Sequence, residues 1–130
     1  MKLLKAILFA LPAILCWQFA PAGAGVEPQI ETVYRVTAYC PCRKCCGRYA
    51  DGITASGHKI QPGDRFCATD PNLPFGTLLI VPGYNENRPV PVLDRGGAIK
   101  GERIDVFFDT HQEALEWGVK YLRVEITNEN

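Results

Sequence analysis

The sequence predicts a small, mainly β domain: a compact barrel of six short strands with one short helix. Three observations carry that expectation. Short segments rich in β-branched and aromatic residues recur along the chain (VYRVTAY, RFCATD, TLLIVP, PVPVLD, RIDVFF and YLRVEIT). Pro, Gly and Asn clusters separate them (QPGD, PNLPFG, GYNENR, RGGAIKGE). Only one stretch carries helix punctuation. Short strands in this number favour a barrel over a sandwich of long strands.

The N-terminus stands apart from that domain. Residues 1–5 (MKLLK) are basic, residues 6–20 (AILFALPAILCWQFA) are apolar, and small residues Ala22 and Ala24 follow. This is the layout of a secretory signal peptide, read as residues 1–24. The apolar run is short against the roughly 20 residues of a membrane span. Residues 25–32 form a short leader, and 33–130 form the domain. Removing Lys2 and Lys5 from the 14 basic residues leaves 12 against 14 acidic ones. That balance argues against a nucleic-acid partner, and no later segment is apolar for long enough to cross a membrane. The expected location is beyond the inner membrane, in the periplasm, cell wall or extracellular space.

VYRVTAY (33–39) alternates as a strand. CPCRKCCGRYADG and ITASG read as loop, followed by a Pro-Gly turn. RFCATD, TLLIVP, PVPVLD and RIDVFF supply four more strands, and YLRVEIT the last. The helix spans about Gln112 to Trp117: Thr110 and Glu113 make a T-x-x-E capping box, and Gly118 stops it.

The chemistry centres on three aspartates. Asp70 ends RFCATD, Asp94 ends PVPVLD, and Asp105 lies inside RIDVFF. Asp70 before a proline and Asp94 before Arg95-Gly96-Gly97 have ordinary roles as turn residues. Asp105 is harder to dismiss, because Asp is a poor strand former and its desolvation is costly. Alternation puts Ile104, Val106 and Phe108 on a core face, and Arg103, Asp105 and Phe107 on a face that can line a cleft. The plain alternative is an ion pair with Arg103 or Arg95 at a sheet edge. A strand carboxylate with a second carboxylate nearby is one route to a raised pKa and a general acid protonated near neutrality.

Cys40, Cys42, Cys45 and Cys46 follow C-x-C-x-x-C-C spacing, and Cys67 is the fifth cysteine after the signal segment, which carries Cys16. Secretion favours a disulfide staple drawn from these five; an odd count leaves one thiol over. A zinc knuckle, with His58 close by, ranks second, and a thiol redox site third. His111 reads as a residue at the start of the helix, His58 as an exposed loop residue, and Trp117 as core. Tyr39, Tyr49 and Phe75 offer faces on which sugars stack, although packing is the commoner fate of an aromatic. Arg95, Lys100 and Arg103 cluster round the aspartates.

Taken together, VTAYCPCRKCCG, GITASG, CATDP, LPFGT, LDRGGAIKGERIDVFF and EALEWG resemble the 3D domain, named for three aspartates. That domain is found in bacterial cell-wall proteins, including muralytic enzymes of the stationary-phase survival type, and is similar to the catalytic core of membrane-bound lytic transglycosylase A. The resemblance covers residues 33 to 126, and DRGGAIKGERID is its most specific segment. It implies a double-psi β-barrel that cleaves the β-1,4 bond between N-acetylmuramic acid and N-acetylglucosamine of peptidoglycan, leaving a 1,6-anhydro end. It assigns the catalytic aspartate to Asp105 and the supporting ones to Asp94 and Asp70. Thr54, Ser56 and Lys44 fall on groove-lining positions; Gly96 and Gly97 allow backbone to approach the glycan, and Lys100 can meet its peptide carboxylates. No metal and no cofactor is expected. No second domain of the kind that closes the groove in transglycosylase A is expected within these residues. A non-catalytic, expansin-like wall-binding module and a true hydrolase using water are the rival expectations.

Overall fold

The computed structural model describes residues 32–127; the expected signal peptide and most of the leader lie outside the described residues. The architecture is mainly β, as expected, with one seven-stranded sheet and few helices. The strands are β1 (Val33–Tyr39), β2 (Cys67–Thr69), β3 (Leu78–Ile80), β4 (Val90–Asp94), β5 (Arg103–Phe107), β6 (Lys120–Arg123) and β7 (Glu125–Thr127). Their order is β6-β1-β5-β2-β4-β3-β7. Two pairs are parallel, β1 with β5 and β2 with β4.

The count is seven rather than six because the final apolar segment divides at Val124. β6 pairs antiparallel with β1 and β7 with β3, so two successive strands serve opposite ends of the strand order. Nothing in the apolar pattern of YLRVEIT marks that division. The helix, α2 (His111–Trp117), follows its sequence punctuation. Thr110 accepts from the Glu113 amide, the Glu113 carboxylate accepts from the Thr110 amide, and Gly118 takes a positive φ of 69°. The cysteine-rich loop contains one helical turn, α1 (Arg43–Cys46), and a 3-10 turn at Gly47–Tyr49.

Alternation along β5 divides the apolar side chains between two clusters. Ile104 and Val106 join Val36, Cys67, Leu79, Val81, Tyr84, Val90, Val92 and Trp117. Burial of side chains of this size stabilises by about 1.5–3 kcal/mol each. Trp117 is core, as expected, and its indole N–H donates to the Val36 carbonyl (3.4 Å). Phe107 points the other way and packs with Tyr39, Phe66 and Ala68, stacking on Phe66 at 4.4 Å. The second face of β5 is therefore a small aromatic core as well as a cleft wall. Tyr84, from the polar turn before β4, ties the end of β5 to the residue before β2 by donating to the carbonyls of Phe107 (2.6 Å) and Phe66 (3.2 Å). Among the described residues no helix is long and apolar enough to cross a membrane.

Candidate active site

A groove of about 710 Å³ opens on the face that carries Asp105. Pairing register builds its floor. On β2, Ala68 is the register partner of Asp105 on β5 and of Asp94 on β4. On the other side of β5, Asp105 is matched with Thr37 of β1. Register partners present their side chains to the same face. Thr37, Asp105, Ala68 and Asp94 therefore run in a row across four strands. A methyl group separates the two carboxylates, and both line the groove.

Asp105 sits on a central strand, not at an edge. The ion pair with Arg103 or Arg95 is not formed. The Arg103 guanidinium donates to the Ala98 carbonyl (3.1 Å), and Arg95 donates to Thr69 Oγ1, Asp94 O and Leu73 O. Arg95 also lies 4.1 Å over the Phe75 ring, tying the PNLPFG turn to the glycine loop. Among the described residues, the side-chain hydrogen bond to Asp105 comes from Thr37 Oγ1 (3.0 Å). Burial pushes the Asp105 carboxyl up to about 6. The nearby charge of Asp94 adds to the rise, while the Thr37 hydrogen bond and the Arg35 charge oppose it.

Asp94 is held from three directions. Tyr39 Oη donates to Oδ2 (2.6 Å), and the amides of Ala55 (2.8 Å) and Arg95 (2.9 Å) donate to Oδ1. The Ala55 bond fastens the GITASG loop to the end of β4, and a bond from the Ser56 amide to the Leu93 carbonyl (3.1 Å) reinforces it. Burial, then the Asp94 charge and hydrogen bond, raise the Tyr39 phenol far above its ordinary value, so it stays a donor at any working pH. Tyr39 is thus packed against Phe66 and Phe107 at its ring and polar at its tip.

Asp70 does not line the groove. It caps its own turn by accepting from the Asn72 amide (2.9 Å) and fixes the glycine loop by accepting from the Gly101 amide (2.9 Å). Those backbone bonds hold its carboxyl below the usual carboxylate range. Thr54, Gly96, Gly97 and Lys100 line the groove; Ser56 and Lys44 do not. Thr54 is buried, and its hydroxyl bonds to the Ser56 hydroxyl (3.0 Å) and the His58 amide (3.1 Å). Gly96 permits a close approach: a Cβ there would stand 2.9 Å from Ile99 Cγ1. Of the aromatics, Tyr49 is exposed on the groove wall, whereas Tyr39 is packed.

The expected disulfide staple is absent. All five described cysteines are free. The Cys40 and Cys42 sulfurs are 3.0 Å apart, beyond the roughly 2.05 Å of an S–S bond. Cys67 is buried under β4, its thiol directed to the Pro91 carbonyl (3.8 Å). Cys46 lines the groove, where burial pushes its thiol up to about 11. His58 is not beside the cysteines; it bonds to Asp64 (2.7 Å). His111 is, 71 residues along the chain from Cys40. Sequence reading missed Thr37 as the partner of Asp105 and Ala68 as a groove residue, and took Tyr39 for a sugar-stacking face rather than the donor to Asp94. The signal available was VTAY itself, where a threonine and a tyrosine alternate onto one strand face.

A small one-sheet β domain with a row of two carboxylates on the floor of one groove is the arrangement of an acid–base site or a polar-ligand cleft. Residues 65–128 match the 3D domain family, so the C-terminal half of the chain is a 3D domain, as the sequence resemblance implied. Three relatives come from Bacillus subtilis (strain 168). Cell wall-binding protein YocH is 41% identical over 80 residues, 59% of this chain and 27% of that protein. Putative cell wall shaping protein YabE is 38% identical over 101 residues, 77% of this chain and 23% of that one. The SPbeta prophage-derived uncharacterized protein YorM is 34% identical over 96 residues, 73% of this chain and 39% of that one. The chain thus spans well under half the length of each. Among solved structures, MltA from E. coli is similar over 57% of this chain and 26% of its own, with 28% identity and a TM-score of 0.43.

Proposed function

We propose that this protein is a cell-wall enzyme that cleaves peptidoglycan glycan strands as a lytic transglycosylase. The observation that carries the reading is Asp105, a carboxyl group on a central strand, raised to about 6 and facing a groove. A carboxyl in that range is a proton donor and acceptor near neutral pH.

In this reading the N-acetylmuramic acid–N-acetylglucosamine bond lies over Asp105. Its carboxyl proton passes to the leaving glycosidic oxygen as the bond to the anomeric carbon breaks. The muramic 6-hydroxyl attacks that carbon, and the Asp105 carboxylate takes the hydroxyl proton. The product is a 1,6-anhydro ring, and no water is consumed. Asp94 raises the Asp105 pKa by its charge, and Tyr39, Ala55 and Arg95 fix its position. Asp70 positions the glycine loop through Gly101 rather than touching substrate. Thr54, Gly96, Gly97 and Lys100 bind the glycan, with Tyr49 available for stacking on a sugar.

The names of two relatives, one wall-binding and one wall-shaping, place their proteins at the cell wall; carried to this chain, they support a location in the envelope or outside the cell. We also read residues 33–130 as one double-psi barrel. The two parallel pairs and the assignment of successive strands β6 and β7 to opposite ends of the order support this.

A second reading is a wall-binding module without catalysis, favoured by the relative named for binding. Digestion of purified sacculi with mass analysis of the released fragments separates the readings. Anhydro-muropeptides support the transglycosylase, reducing ends mark a hydrolase, and binding without release marks the module.

A further inference from the structure

We propose that Cys40, Cys42, Cys45 and His111 form a structural zinc site that fastens the groove wall to helix α2. Their four ligand atoms lie within 4.8 Å of one another. Cys40 Sγ is 3.0 Å from Cys42 Sγ and 3.5 Å from Cys45 Sγ. His111 Nδ1 faces all three sulfurs, at 3.8 Å from Cys40, 3.6 Å from Cys42 and 3.4 Å from Cys45. Metal–sulfur bonds of about 2.3 Å and metal–nitrogen bonds of about 2.0–2.1 Å define a tetrahedron with S···S edges near 3.8 Å and S···N edges near 3.6 Å. The three S···N distances already match it. Widening the Cys40–Cys42 edge by about 0.8 Å and the Cys40–Cys45 edge by about 0.3 Å brings both to the tetrahedral length.

The scaffold presents these groups without the metal. Cys40 is buried just past the end of β1. The Cys42 carbonyl accepts from the amides of Cys45 (3.1 Å) and Cys46 (2.9 Å), closing a tight turn that brings Cys45 back beside Cys42. His111 opens α2, held there by the Thr110–Glu113 capping box. A disulfide would join two of these groups and leave the third thiol and the imidazole facing it. A metal ion uses all four.

The donor set selects the metal. Three thiolates and one imidazole are the ligands of zinc structural sites, whereas magnesium and calcium take oxygen. Four protein ligands leave no open position for water, which makes the site structural. Each thiol gives up its proton on binding. The link it makes is long-range: the loop holding Cys45 and Cys46, which wall the groove, is tied to a helix more than 60 residues away.

The test uses the full chain, purified anaerobically without chelator. Elemental analysis is expected to find about one zinc per chain. His111→Ala and Cys45→Ser are each expected to lose most of it, and Cys67→Ser to keep it. Cobalt(II) added to stripped wild-type protein is expected to give intense tetrahedral d–d bands with thiolate charge transfer, a readout independent of whether any variant folds. A metal-free protein with five free thiols and no tetrahedral cobalt spectrum would overturn the proposal. So would a disulfide between Cys40 and Cys42 or Cys45, or a Cys67→Ser variant that loses as much zinc as His111→Ala.

Discussion

Asp94 on β4 and Asp105 on β5 share a single register partner, Ala68 of the intervening strand β2. One methyl group on the groove floor is all the side chain between them. This explains how a carboxylate charge on one strand reaches the carboxyl on another. It also leaves the floor open for a ligand. Ala68→Val would add volume to a packed aromatic cluster at a cost of about 1–3 kcal/mol. It would also fill the space between the carboxylates, so wall cleavage should fall at least about tenfold in protein that is still folded, as checked by circular dichroism and turnover of sacculi.

Asp105 should set the alkaline limb of activity. A general acid with a pKa of about 6 is protonated below that value and loses its proton above it. The rate of fragment release should therefore decline as pH rises through about 6, by about tenfold per unit where this ionisation alone controls the rate. Rate profiles on solubilised glycan strands check this.

The same group should trade stability for function. Its folded-state pKa lies above the ordinary 3.8, so its stabilising contribution is full below about 3.8 and is lost as pH rises through about 6. At pH 8 the folded protein carries a penalty of up to about 3 kcal/mol for this desolvated charge. Asp105→Asn keeps a carbonyl for the Thr37 hydroxyl and removes the charge. Denaturant unfolding should show the variant more stable than wild type at pH 8, with the advantage gone at pH 4.

Tyr39→Phe removes the 2.6 Å donor to Asp94 while keeping the ring edge-on against Phe66 and Phe107. A net loss of about 1–2 kcal/mol of stability is expected. A less firmly held Asp94 should also move the alkaline limb of the pH–rate profile. A purely structural tyrosine would lower stability and leave that limb in place.

Much of this was legible in the sequence. The strand RIDVFF and its misplaced aspartate stood out because alternation and burial cost act locally. The helix followed from Thr110, Glu113 and Gly118 for the same reason. What the sequence withheld was long-range. Whether β5 is central or an edge depends on β1 and β2 pairing around it, so the ion pair with Arg103 or Arg95 was a reasonable expectation that the topology removes. The division at Val124 reflects a change of pairing partner inside one apolar run. His111 joins the cysteines only because α2 begins where β1 ends in space, and C-x-C-x-x-C-C spacing holds no trace of a ligand 66 residues beyond Cys45.

Asp105 is proposed to perform the acid–base chemistry on peptidoglycan. The most direct measurement is the release of 1,6-anhydro-muropeptides from purified sacculi by wild-type and Asp105→Asn proteins, compared by mass spectrometry at pH 5.5. The wild type should release them and the variant, folded and still bound to sacculi, should fall by about a hundredfold or more. Undiminished release by Asp105→Asn, or no release by either protein, would contradict the account.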